Sequence, residues 1–148
     1  MVIHDITTDT ENPPTFVALL AVRNACRNGS AYGGARVAAE QRVRYPDIQP
    51  LLLTTAPAAA FQNAWNAARA MNWAIAAAAE KEGRIEATAT TRVLRFKDDV
   101  IIRITPHDSS TRVDVRSVSR LGRNDFGTNA KRIRRFFDSL KNPLKSNT

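Results

Sequence analysis

Residues 84–119 read RIEATATTRVLRFKDDVIIRITPHDSSTRVDVRSVS, and the spacing of their apolar side chains decides the fold. Ile85, Ala87, Ala89, Thr91 and Val93 occupy alternate positions, as do Val100, Ile102 and Ile104, and then Val113 and Val115. Alternation marks a half-buried strand with one face on a core. Lys97-Asp98 reads as a two-residue hairpin loop, and the polar run from Pro106 to Thr111 as the next turn. Upstream, Trp73, Ile75, Ala77 and Ala79 alternate before a turn over Glu80 to Gly83. A meander of four antiparallel strands is the expected result.

On the N-terminal side of the meander the period changes. Phe61, Ala64, Trp65, Ala68 and Met71 recur at spacings of three and four, which predicts a helix over residues 57–71. Pro57 suits its first turn, Thr54 or Thr55 is the candidate cap, and Leu51-Leu52-Leu53 is a candidate buried strand. On the C-terminal side Phe126, Ala130, Ile133, Phe136, Phe137 and Leu140 share one helix face, with Lys131, Arg132, Arg134 and Arg135 off it and Asn124, Asp125 or Thr128 as cap. Residues 1–50 keep no period. Asn12-Pro13-Pro14 breaks any element, Phe16 to Val22 is a short apolar run, and a short helix over Arg36 to Arg44 must stop before Pro46.

The expected fold is therefore α+β: an antiparallel sheet of about four to five strands with two helices on one face and an irregular N-terminal arm. At 148 residues one domain is expected, with a wrapping arm over 1–50, the core over 51–141 and a tail over 142–148.

Composition, at 43% hydrophobic and 24% charged, excludes a disordered chain, and no apolar run approaches the roughly 20 residues of a membrane span. The start, Met-Val-Ile-His-Asp, is not a signal peptide, and the chain reads as soluble as given. A single cysteine, Cys26, and two histidines allow no internal disulfide and no Cys/His zinc site. With neither a P-loop nor a dinucleotide glycine fingerprint, no cofactor is expected.

Charge is more informative. The formal net charge of +8 is concentrated in residues 84–135, which hold 13 bases against 6 acids, whereas residues 1–83 hold 7 of each. Most of those bases are Arg, whose guanidinium pairs bidentately with phosphate or carboxylate, so the pattern fits an anionic partner as well as a solvated basic surface. Pairing Phe96 with Asp99 across the expected loop sets Val93 opposite Ile102 and Arg92 opposite Arg103. Keeping Ile104 beside Val113 sets Arg103 beside Asp114 and Ile101 beside Arg116. The helix-free face then carries Glu86, Thr88, Thr90, Arg92, Arg103, Asp114 and Arg116. Such a face is either an ion-pair lattice closed by arm acids such as Asp5, Asp9 and Asp47, or an open anion-binding surface. The run from Arg116 to Asp125 adds Ser117, Ser119, Arg120 and Arg123 ahead of a helix N-terminus, where anions are favoured, although Asp125 competes for that place.

Catalytic residues are not assignable. His4-Asp5 and His107 are available, but nothing resembles a nucleophile elbow, and the reading leans away from an enzyme.

His4 to Asp9 with Asn12-Pro13-Pro14, Tyr45-Pro46-Asp47-Ile48, Arg84 to Thr88, Asp98-Asp99-Val100, and Asp114 to Arg120 with Gly122 and Asp125 together resemble the domain of unknown function 1499 family over nearly the whole chain. The resemblance implies no activity and no catalytic residue. Many bacterial members carry membrane-spanning segments ahead of this domain, so it implies either a soluble member or the soluble part of a membrane-anchored protein. It also marks His4-Asp5, Asp47 and the stretch from Arg116 to Asp125 as motif residues.

The functional expectation is a binding module for an anionic small molecule or lipid head group, or an anionic membrane surface. Arg92, Arg103, Asp114, Arg116, Ser117, Ser119, Arg120 and Arg123 are the candidate ligand residues, with His4, Asp5 and Asp47 secondary. The alternatives are a nucleic-acid-binding domain, and a hydrolase or transferase working from His4, Asp5 and Asp47 beside the stretch from Arg116 to Asp125.

Overall fold

A computed structural model describes residues 2–142. Of the expected tail it covers Asn142, and residues 143–148 lie outside the described residues. The elements are β1 (Asp5–Thr7), α1 (Leu20–Ala25), α2 (Ala35–Arg44), β2 (Leu51–Leu53), α3 (Pro57–Ala70), β3 (Ala74–Ala79), a 3₁₀ turn (Glu80–Glu82), β4 (Arg84–Thr90), β5 (Lys97–His107), β6 (Ser110–Ser119) and α4 (Thr128–Lys141). The fold is α+β, with six antiparallel strands in the order β1-β6-β5-β4-β3. β2 also pairs with β6, opposite Thr111 to Val113, while β1 takes Arg116 to Val118.

The inward residues of the strands are those the alternation picks out. Ile85, Ala87, Val100, Ile102, Val113 and Val115 form the floor of the main core, and α3 and α4 close it from one face. α3 turns Ala60, Ala64 and Ala68 inward, so its backbone lies close to the sheet, and Trp73 stacks on Phe136 of α4 at 5.4 Å between centroids. The turn into β4 requires glycine: Gly83 has φ +62°, and a Cβ there would collide with the Ile104 carbonyl oxygen.

The β5–β6 register is as expected, with Arg103 beside Asp114 and Ile101 beside Arg116. The β4–β5 register is corrected. Ile85, not Val93, faces Ile102, and Arg84, not Arg92, faces Arg103. Lys97 and Asp98 belong to β5, and the loop is 91–96, closed by the Thr91 amide on the Phe96 carbonyl and the Phe96 amide on Thr91 Oγ1, each 2.8 Å. Val93 is consequently exposed. This register seats Asp98 and Asp99 inside the fold, where buried arginines need them.

Details of the helices also differ. Neither Thr54 nor Thr55 caps α3; Ala56 precedes it, and the Thr55 carbonyl accepts instead from Thr111 Oγ1 at 2.6 Å. Phe126 is not on the buried face of α4. It sits at φ +54° in the turn before the helix and is 88% exposed. Arg132, expected off the apolar face, is buried against Asp98 at 2.8 Å. The N-cap position of α4 is Gly127, not Asn124, Asp125 or Thr128, but Asp125 supports the helix start from two positions ahead, its carboxylate accepting the Gly127 and Asn129 amides at 2.9 and 3.1 Å.

The arm is less irregular than expected, since it contains β1, α1 and α2; the part around Phe16 and Leu19 covers the sheet face opposite α3 and α4, while Ile3, Ile6 and Ile48, with Val37 and Tyr45, join the main core. Phe16 and Leu19 pack there on Ile101 and Val118 as a second small core. Glu86, buried in β4, accepts the amides of Val17, Ala18 and Leu19 at 2.8 to 3.1 Å, capping the start of α1 from across the sheet. Gln41 of α2 pairs with both the amide and the carbonyl of Thr7. Among the described residues no helix is long and apolar enough to cross a membrane.

Candidate functional site

The arm-covered face holds five of the eleven residues marked in the sequence, Asp5, Arg103, Asp114, Arg116 and Arg120, and it is closed by ion pairs. Arg116 of β6 binds Asp5 of β1 bidentately at 3.0 and 2.8 Å, donates to the Pro14 and Ser30 carbonyls, and lies against the rings of Phe16 and Tyr32. Arg103 and Arg112 share Asp9 and Asp114. Asp99 receives Arg120 bidentately and also Arg23, a fully buried base on α1 that donates to the carbonyls of Gly29, Val118 and Ser119 as well. Burial alone would raise the Asp9 carboxyl pKa, but the amides of Asn12 and Glu11 and the charges of Arg112 and Arg103 outweigh it and hold it below the usual range.

An open anionic-ligand face built on Arg103, Asp114, Arg116 and Arg120 is therefore not what the fold presents. Covered polar groups need partners, and the arm brings them. Ser117 and Ser119 point to the other face, where both bond Asn129 of α4. The secondary candidates do not converge. Asp5 is locked on Arg116, His4 Nδ1 lies 3.4 Å from the Arg123 carbonyl, and Asp47 pairs with Arg134 on the outside of α4 at 2.7 and 2.8 Å. The Arg134 bonds outweigh burial and hold the Asp47 carboxyl below its ordinary pKa.

Among the described residues, one buried side-chain group lacks a hydrogen-bond partner. The Tyr32 hydroxyl is shielded from solvent and makes no hydrogen bond. Burial first, and then the charge of Asp5, push its pKa up to about 12 against the opposing pull of Arg116 and Arg42. Tyr32→Phe is expected to leave stability unchanged or raise it by about 0–1 kcal/mol, because no bond is lost and a desolvated hydroxyl is removed. Since the folded phenol titrates above the unfolded value of about 10, its contribution is present below that pH and fades as pH rises toward 12. Ultraviolet titration of wild type and variant checks this. A substantial loss of stability in Tyr32→Phe would reveal an unseen partner.

The open concavity lies elsewhere, at the end of the sheet where β4 meets β5 and β6 runs into α4. It is a cleft of about 970 Å³ between the 91–96 loop, the end of α3, the 121–126 turn and the first turns of α4. Trp73, Ala89, Asp98 and Ser119 line it at depth, with Arg132 tied to Asp98. Arg92, Arg95, Lys131 and Arg135 complete its basic lining, and among the described residues none of the four has an ion-pair partner. Its two carboxylates are already engaged, Asp98 by Arg132 and Asp125 by the start of α4. Of the residues marked in the sequence, Arg92 and Ser119 line this cleft; Arg123 does not, although its neighbours Gly122 and Asn124 do. Arg95, Lys131 and Arg135 were missed. The signal for Arg95 is the broken alternation at Val93-Leu94-Arg95-Phe96, which a strand reading passes over, and that for Lys131 and Arg135 is their place off the apolar face of α4. Among the described residues no group of three His, Cys, Asp or Glu side chains is arranged to hold a metal ion.

An antiparallel sheet covered by two helices on one face and by part of an ion-paired arm on the other, with a basic cleft at one end, defines the class: a small α+β domain. The chain belongs to the protein of unknown function family DUF1499, whose model matches residues 5–140. Among solved structures it is similar to the crystal structure of TTHA0849 from Thermus thermophilus, at 12% identity over 66% of this chain and 90% of that chain, with a TM-score of 0.34. No curated protein matches it.

Proposed function

We propose that this protein is a binding module that takes an anionic, partly apolar ligand in the cleft at the end of its sheet. The observation that carries the reading is a contrast within one molecule. Arg84, Arg103, Arg112, Arg116 and Arg120 all have carboxylate partners, whereas Arg92, Arg95, Lys131 and Arg135 line one cleft and have none among the described residues. Unpaired guanidinium groups at a concave, partly apolar site bind phosphate or carboxylate bidentately, and the Trp73 floor accommodates an apolar portion. Short-chain phosphatidylglycerol, kept below its micelle concentration, is expected to bind in calorimetry and to raise the melting temperature. Replacing Arg92 and Arg135 together with Ala should weaken binding about tenfold or more, and the binding should weaken with salt. Equal affinity in wild type and double variant would remove the reading.

A second reading has its own support. Phe96 and Phe126 are exposed beside these bases, and aromatic side chains next to Arg suit stacking on single-stranded nucleic acid. A gel shift at low salt that disappears steeply with added salt would favour it.

A further inference from the structure

Five of the eleven large apolar side chains exposed among the described residues belong to the two loops that flank the cleft: Val93, Leu94 and Phe96 on one, Leu121 and Phe126 on the other. Val93 and Phe126 are each 88% exposed. Backbone geometry holds these loops in place. The 91–96 loop is closed at both ends by the Thr91–Phe96 bonds and turns through Arg95 at φ +57°, while the Phe126 amide is held by Asn124 Oδ1 and the Gly127 amide by Asp125 Oδ1. The apolar tips are thus displayed by ordered turns, and they alternate with Arg92, Arg95 and Arg123.

We infer that these two loops dock the protein on an anionic phospholipid bilayer, with Leu94 and Phe126 entering the head-group layer and the cleft opening onto the membrane, so that its ligand is a lipid taken from that surface. The inference rests on the anionic-ligand reading of the cleft. Charge selects the occupant: the cleft brings five bases against two carboxylates that are already engaged, which complements a negative lipid surface. The aliphatic tips select it further. Val93, Leu94 and Leu121 cannot stack on bases, but they enter the acyl boundary readily, while Arg side chains reach back to phosphate level.

The test is co-sedimentation of the full chain with vesicles of phosphatidylcholine alone and of phosphatidylcholine carrying about 30% phosphatidylglycerol, run beside calorimetry with the short-chain lipid. The wild type is expected on the anionic vesicles only. The double variant Leu94→Ser, Phe126→Asn should partition about tenfold less or weaker at an unchanged melting temperature, Asn being chosen because it tolerates the left-handed backbone at that position. Leu52→Ser, an exposed side chain on β2 opposite Arg112 and away from the cleft, should partition as wild type does. Equal partition of the tip variant and wild type overturns docking, as does an oligonucleotide complex that anionic vesicles fail to displace. Binding of the short-chain lipid without binding of vesicles overturns docking and leaves the cleft reading standing. Vesicle binding through the tips without affinity for the short-chain lipid supports docking and overturns the cleft reading.

Discussion

Asp5→Ala is expected to lower the unfolding free energy by about 3–5 kcal/mol, because it strands a buried guanidinium. Arg116 is 1% exposed, and Asp5 supplies both carboxylate oxygens of its main contact. Its remaining partners, the carbonyls of Pro14 and Ser30, are dipoles and cannot balance a full charge in a site closed by Phe16 and Tyr32. Asp47→Ala removes an equally well-formed bidentate pair, yet Asp47 and Arg134 are 55% and 43% exposed, and a loss of only about 0–1 kcal/mol is expected. Denaturant unfolding of both variants checks the contrast. Similar losses in the two would mean that burial does not set the value of these pairs.

Removal of residues 1–49 should abolish cooperative folding. The deletion uncovers Ile101 and Val118, takes Arg23 from Asp99 and Asp5 from Arg116, and leaves the Glu86 carboxylate facing no amides in the middle of a sheet face. The deletion also removes Ile3, Ile6 and Ile48 from the main core and Phe16 and Leu19 from the second one, a loss of apolar burial large against a total stability of about 5–15 kcal/mol for a domain of this size. Calorimetry of a fragment starting at Pro50 should show no unfolding peak. A peak at the melting temperature of the full chain would mean that the arm is a tether and contributes nothing to the core.

How far the fold is legible in the sequence depends on which interactions are periodic. Ile102, Ile104, Val113 and Val115 alternate, and their strands align as the alternation requires. The pairing of β4 with β5 was misplaced for a reason in the same rule: exchanging Val93 for Ile85 opposite Ile102 displaces the register by an even number of residues, which leaves every side chain on its face. Apolar pattern is blind to such a slip. What decides it is the demand of Arg132, Arg23 and Arg120 for Asp98 and Asp99, a set of contacts far apart in sequence. α1 was illegible for a similar reason. Six residues with no local cap cannot be recognised when the group that caps them is Glu86. The motif stretches singled out along the chain help hold the arm to the sheet, with Asp5 on Arg116 and Asp99 on Arg23. The cleft could not be found from charge alone, because paired and unpaired arginines look identical in a sequence.

The pairing of β1 with β6 has a further consequence during synthesis. Asp5 and Arg116 are separated by 111 positions, so the arm, which leaves the ribosome ahead of the sheet, has no dock until β6 has followed it. At translation rates of about 5–20 residues per second, Phe16, Leu19 and Arg23 wait for seconds without the strands that cover them. The β5–β6 hairpin, whose contacts are local, can close as it emerges. The docking of the arm on β6 is therefore a late step, and it completes a sheet that does not fold cooperatively without it.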